Sequence, residues 1–274
     1  MLRLFHERHG SGRPIVFLHG FGATSYLWRK IVPALSTRNE LHLIDLKGFG
    51  RSPKPRDGRY SIADHAELVL ALMAEEKLEH VTLVGHSLGG SVAIVMAHAL
   101  ASSHPDAVRS LVLMSTPTGD ERVPLVGKIL RNRILGPLVV AIVPTRLQVR
   151  WALKSTYYHP EKITEDQVDT YADSLGSPGG KYALLETLRD IDDAAIALLK
   201  ASSAAIAVPT LLIWGRHDQL VPVSSGQQLE KVIKRSKLVV IEDTAHTLVE
   251  ETPDPVAAAI VAFLDRTDTE RPGG

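Results

Sequence analysis

Gly85-His86-Ser87-Leu88-Gly89 has the pattern Gly-x-Ser-x-Gly. A serine with small residues two positions to either side suits a nucleophile held on a sharp turn, because the backbone must pass close to itself there. In a chain of 274 residues the pattern would occur by chance about one time in ten, so the spacing alone decides little. Its setting decides more. Val81-Thr82-Leu83-Val84 precedes it as a short strand-like run, and Gly90-Ser91-Val92-Ala93-Ile94-Val95-Met96-Ala97 follows as a helix of small and apolar residues. Ser87 then projects at a helix N-terminus, where developing negative charge is favoured. A serine hydroxyl is a poor nucleophile without a base, and the base needs an acid to orient it. Asp218 follows the apolar run Thr210–Trp214, and His246 follows Leu238–Ile241. Each of the three stands just past a short apolar run, so strands ending at one rim would bring them together.

The remaining chain supplies such strands. Short runs rich in Val, Leu and Ile recur at Ile15–Leu18, Leu41–Leu46, Val81–Val84, Val108–Met114, Thr210–Trp214 and Leu238–Ile241. Runs of this kind read as strands buried on both faces of a parallel sheet. Helical patterns lie between them at Ile62–Glu76, Gly90–Leu100, Gly226–Ile233 and Pro255–Leu264. The alternation predicts an open α/β sheet with helices on both faces. Leu2–His9 and Gly10-Ser11-Gly12 predict an antiparallel edge hairpin leading into Ile15, and Thr267–Gly274 a frayed tail. Between Thr116 and about Ala204 no strand pattern is found. Pro144-Thr145 opens one helix there, Thr164-Glu165-Asp166-Gln167 reads as a capping box for another, and Ser177-Pro178-Gly179-Gly180 is a turn. This stretch predicts a helical insertion over the carboxyl edge of the sheet, where ligands bind in open α/β folds.

With these residues in hand, the sequence resembles the α/β-hydrolase fold superfamily, and in particular its small lidded serine hydrolases. The resemblance rests on His19-Gly20-Phe21-Gly22, Asp45-Leu46-Lys47-Gly48-Phe49-Gly50-Arg51-Ser52, Gly85–Gly90, Trp214-Gly215-Arg216-His217-Asp218, Ala245-His246, and the chain order Ser87, Asp218, His246. It covers about residues 14–117 and 205–265 and leaves the insertion unmatched. It implies a mostly parallel, eight-stranded twisted sheet with helices on both faces. Residues 1–117 and 205–274 would form the core, and 118–204 a helical cap. It implies Ser87, Asp218 and His246 as a catalytic triad, and an oxyanion hole from the backbone N–H groups of Phe21 and Leu88. Trp28 either lines the acyl pocket or packs in the core. His19 is expected to brace the oxyanion loop, and His86 and His217 to stay outside the chemistry. An elbow serine departs from lidded epoxide hydrolases and haloalkane dehalogenases, which carry aspartate there; His86 and Leu88 depart from the usual elbows of prolyl aminopeptidases and carbon–carbon bond hydrolases. The implied activity is hydrolysis of a small-molecule acyl ester, thioester or lactone through an acyl-enzyme, with no metal and no organic cofactor. Acyl transfer to an alcohol or peroxide, or ligand binding with little turnover, are the alternatives in the same fold.

Composition narrows the classes further. Lys and Arg number 31 and Asp and Glu 31, which speaks against a strongly basic nucleic-acid binder. There is no cysteine, so disulfides, thiol nucleophiles and cysteine-based metal sites are excluded. His6-Glu7-Arg8-His9 lacks the spacing of a helical zinc motif. Gly85–Gly90 is followed by Ser91 instead of Lys, which removes a phosphate-binding loop, and Gly20-Phe21-Gly22 does not extend to a dinucleotide fingerprint. The first residues lack the apolar run of a secretory signal, and the longest apolar stretch, Ile134–Val143, is too short for a membrane span; a cytoplasmic protein is expected. Within the insertion, residues 120–155 carry Arg122, Lys128, Arg131, Arg133, Arg146, Arg150 and Lys154 against Asp120 and Glu121. Arg146, Arg150 and Lys154 fall on one helical stripe beside Leu147, Trp151 and Leu153. That stripe is either a solvated helix face or a surface for an anionic lipid or anionic substrate.

Overall fold

The computed structural model describes residues 2–121 and 124–269. Seven strands form one sheet: β1 (His6–Gly10), β2 (Arg13–Leu18), β3 (Asn39–Ile44), β4 (Val81–His86), β5 (Val108–Met114), β6 (Thr210–Gly215) and β7 (Ser236–Ile241). Their order is β1-β3-β2-β4-β5-β6-β7, and every pairing is parallel except β1 with β3. Strands β4 and β6 are buried along their whole length, as a parallel sheet covered on both faces demands.

Two expectations change at the antiparallel edge. The sheet has seven strands among the described residues, one fewer than the resemblance implies, because β1 alone makes that edge. Nor does β1 form a hairpin with β2: its ladder partner is β3, with His6 opposite Ile44 and Gly10 opposite Glu40. The mixed burial of β1 suits an edge, whereas Ile15–Leu18 is fully buried and takes the interior place. Gly10-Ser11-Gly12 carries the chain across the start of β3. A Cβ on Gly10 would stand 2.4 Å from the Asn39 carbonyl oxygen, and one on Gly12 2.4 Å from that of Arg38. These glycines serve a strand crossover instead of a hairpin turn.

A 3₁₀ turn (Ser25–Trp28) and the short α1 (Val32–Leu35) precede β3; α2 (Ile62–Glu75) and α3 (Leu88–Ala101) flank β4. Among the described residues six α-helices then intervene before β6: α4 (Leu125–Arg131), α5 (Leu135–Ile142), α6 (Thr145–Thr156), α7 (Glu165–Gly176), α8 (Gly180–Arg189) and α9 (Asp193–Ala204). Last come α10 (Val223–Val232), α11 (Leu248–Glu251) and α12 (Pro253–Thr269). One face of the sheet packs Val92, Ile94, Leu199 and Leu229 from α3, α9 and α10. The other packs Phe17 and Trp28 with Ile260 and Phe263 of α12. Thus α9, within the stretch expected to be cap, packs against α3 as part of the core. Helices α6 and α7 share a small core of their own, built on Val149, Leu153, Val168 and Tyr171. Thr164 and Gln167 form the expected capping box at the start of α7. The tail differs from expectation. Thr267–Thr269 continue α12, held by Asp268 pairing with both Arg13 and Arg109, while residues 270–274 lie outside the described residues. Among the described residues no helix is long and apolar enough to cross a membrane.

Candidate active site

Strand β4 ends at His86 and α3 begins at Leu88, so Ser87 alone makes the turn, at φ 51° and ψ −119°. A side chain rarely adopts this conformation and holds it only where packing leaves no alternative. Here a Cβ on Gly85 would lie 2.4 Å from the Gly89 carbonyl oxygen, and one on Gly89 2.0 Å from that of Leu18. Ser87 N donates to Met114 O at 2.8 Å, fastening the turn to β5. Leu88 opens α3, so its N–H has no acceptor within the helix.

The loop after β2 comes up beside the serine. Ala23 N donates to Gly20 O at 3.2 Å, with Gly22 at φ 72°, a turn that leaves the Phe21 N–H outside its own hydrogen bond. A Cβ on Gly20 would stand 3.2 Å from Ser87 Cβ, so this loop lies against the serine side chain. His19 braces it. Leu46 N donates to His19 Nε2 at 2.9 Å, which makes Nε2 the acceptor and Nδ1–H the donor to Gly20 O at 2.8 Å. Burial pushes the His19 ring below its ordinary value against the pull of Asp45, in keeping with this neutral form.

Asp218 and His246 meet at the same rim. Asp218 Oδ1 accepts from Leu220 N at 3.0 Å and Val221 N at 2.8 Å, while Oδ2 lies 2.9 Å from His246 Nδ1. Burial raises the Asp218 carboxyl, but the facing His246 ring, its hydrogen bond and the Val221 N–H outweigh burial and hold it below the ordinary carboxylate value. With Nδ1–H given to Asp218, His246 keeps Nε2 as an acceptor, which has no hydrogen-bond partner, Ser87 included, among the described residues. The residue before the serine ties the two loops together: His86 Nε2–H donates to His246 O at 2.8 Å, and the rings stand 4.9 Å apart. Burial, reinforced by the neighbouring His246, pushes His86 down to about 3, so this ring is neutral.

A family model described as the alpha/beta hydrolase fold matches residues 13–253. The chain belongs to the alpha/beta hydrolase fold family. It is 33% identical over 269 residues to the pimeloyl-[acyl-carrier protein] methyl ester esterase of Aeromonas hydrophila, covering 94% of this chain and 98% of that one. Among solved structures, a meta-cleavage product hydrolase from Pseudomonas fluorescens is 25% identical with a TM-score of 0.81, covering 96% of this chain and 94% of that one. A thermophilic esterase from Thermogutta terrifontis has a TM-score of 0.77 at 23% identity, covering 96% and 93%.

Within this hydrolase fold the expected site residues separate into two groups. Ser87, Leu88, Phe21, Asp218 and His246 share the rim. Trp28 does not: it is fully buried on the far side of the sheet, its ring 5.1 Å from Phe17, because the 3₁₀ turn Ser25–Trp28 directs it inward. It packs in the core beside Phe17 and Ile31. His217 stacks on Tyr158 of the insertion with ring centroids 3.8 Å apart. The expected basic stripe on α6 is also largely spent. Arg146 pairs with Glu165 and Asp169 and Arg150 with Glu165, joining α6 to α7 and leaving Lys154 of the three without an ion pair among the described residues. Arg122 lies outside the described residues.

Two buried residues that sequence reasoning missed join the His246 loop to the insertion. Glu251 Oε2 accepts from Thr244 Oγ1 and Ala245 N, each at 3.0 Å, and from Tyr158 N at 3.2 Å; Oε1 accepts from His159 N at 2.6 Å. Beside it, the Glu250 carboxylate pairs with Arg29 and accepts from Tyr157 at 3.4 Å, whose hydroxyl in turn accepts from Gln167 at 2.7 Å. Thr247 N donates to Thr156 O at 3.1 Å. The signal available in sequence was Glu250-Glu251 directly after Leu248-Val249, in a helix of four residues all of which are buried. Ser87 itself is largely buried, at 8% exposed. A cavity of about 600 Å³ opens elsewhere, along Ser25, Tyr26, Arg29, Asp45, Thr170 and Ser174, and its walls include none of Ser87, Asp218 or His246.

Proposed function

We propose that this chain is a serine hydrolase of carboxylic esters that works through an acyl-enzyme on Ser87. The observation that carries the reading is the Asp218–His246 bond at the rim where Ser87 is held in a strained turn, with His86 tying the two loops together. His246 Nε2 takes the hydroxyl proton as Ser87 Oγ attacks the acyl carbon. The tetrahedral oxyanion is held by the Leu88 and Phe21 N–H groups. His246 then returns the proton to the departing alcohol, and water activated by the same imidazole releases the acid and restores the serine. Asp218 keeps Nδ1 protonated throughout and stabilises the imidazolium when it forms. The methyl ester esterase named above supports an ester over other acyl substrates. Nitrophenyl esters from acetate to palmitate, hydrolysed by wild type and by Ser87→Ala, test the reading. The wild type is expected to turn over with a preferred chain length, and the variant to lose on the order of 10⁴-fold or more in kcat. Equal turnover by the two proteins would overturn it.

A further inference from the structure

The half of the insertion formed by α4 and α5 presents an apolar surface that nothing among the described residues covers. On α5, Gly136 and Val140 face inward, while Ile134 (73% exposed), Leu138 (51%) and Ile142 (78%) recur every fourth residue on the outer side, joined by Leu135. Leu125 and Val126 of α4 are exposed as well, and beyond the α5–α6 corner so are Leu147 and Trp151. Single exposed leucines are ordinary, but a run of large aliphatic side chains on one helix face marks an interaction surface.

Charge says what kind of partner. Residues 124–160 contain no Asp or Glu and six cations: Lys128, Arg131, Arg133, Arg146, Arg150 and Lys154. Acids from α7 neutralise Arg146 and Arg150, but among the described residues Lys128, Arg131 and Arg133, which flank the apolar face, have no ion pair. A symmetric contact between two copies would set this cation rim against itself, which opposes self-association through this face. Aliphatic side chains that project outward, with cations at their margin and Trp151 at one end, fit a fluid apolar layer beneath an anionic surface.

We infer that the α4–α5 face docks on anionic lipid bilayers, with Ile134, Leu138 and Ile142 entering the acyl boundary and Lys128, Arg131 and Arg133 meeting the headgroup charge. The inference is independent of the chemistry at Ser87. It is tested by co-sedimentation of the full chain with vesicles of phosphatidylcholine alone or of phosphatidylcholine and phosphatidylglycerol in equal parts. Wild type and Ser87→Ala should bind the anionic vesicles equally and the neutral ones weakly, with binding reduced at high salt. Lys128→Gln with Arg133→Gln should weaken anionic binding about fivefold per charge removed. The triple variant Ile134→Asp, Leu138→Asp and Ile142→Asp should lose at least about tenfold, with an unchanged melting temperature and unchanged hydrolysis of a soluble short-chain ester. Equal affinity for the two vesicle types overturns the inference, as does full binding by a folded triple variant. A wild type that ignores both vesicles and runs as a dimer, which the triple variant converts to monomer, also overturns it and assigns the face to a second copy.

Discussion

On the sheet side of the rim, His19, His65 and His86 are buried with their rings neutral, whereas across the seam with the insertion Glu250 and Glu251 are buried as acceptors of many donors. Burial pushes His65 and His86 down to about 3, and neither ring nitrogen of His65 has a hydrogen-bond partner among the described residues. Glu250 is held by Arg29, and Glu251 collects four hydrogen bonds from two separate segments. An ionisable group can be taken out of water either by discharging it or by surrounding it with partners. The two routes fail differently. The first is vulnerable to acid, the second to loss of a partner.

The seam should therefore be most sensitive to truncation. Glu250→Ala leaves Arg29 facing a vacated site and is expected to cost about 3 kcal/mol in urea unfolding, the low end for a broken buried pair because Arg29 keeps some contact with water. A cost below about 1 kcal/mol would mean that Arg29 reaches solvent freely and that the seam is not a buried junction. Glu251→Ala strands the Ala245 and His159 N–H groups and should cost about 2 kcal/mol. Because Glu251 holds the loop carrying His246, it should also lower kcat about tenfold with KM nearly unchanged. Glu251→Gln, which retains an acceptor oxygen, should recover part of both losses.

The histidine side responds to pH. An unfolded histidine takes up a proton below about 6.5, while folded His65 stays neutral until about 3. Protonation between these values favours the unfolded chain, so this contribution is present above about 6.5 and is lost as pH falls towards 3. His65→Phe removes that proton uptake and keeps the ring between Phe49 and Tyr60. The acid-unfolding midpoint, followed by circular dichroism, should move down by roughly half a unit. An unmoved midpoint would show that other groups govern acid sensitivity. The smallest effect belongs to the exposed α6–α7 pairs. Arg146→Ala should shift the melting temperature by no more than about 2 °C, since exposed ion pairs are screened by water.

The contrast also separates what can be read from the chain by eye. Ser87 is legible because a serine between glycines, after a buried strand and before a helix, is a local arrangement. Asp218 and His246 follow because each sits just past its own apolar run. Glu250-Glu251 passes unnoticed, since nothing within a few residues reveals that Tyr158 and His159 come down upon Glu251. Trp28 stays open in the sequence for a similar reason: an aromatic residue six positions after Gly22 could turn either way, and the 3₁₀ turn sends it into the core. Arg146 and Arg150 form a basic stripe on α6 alone, and only the packing of α7 cancels their charge.

By itself the sequence determined the strand–turn–helix around Ser87, the order of the strands that deliver Asp218 and His246, and the helical character of the insertion. These depend on backbone preferences and on apolar spacing over a few residues. Tertiary structure alone decided that β1 pairs with β3, that two glutamates are buried at the seam, and that α5 keeps an apolar face towards solvent. Each of those outcomes depends on which distant segment arrives to cover a surface or satisfy a charge, and a short stretch of sequence carries no record of that arrival.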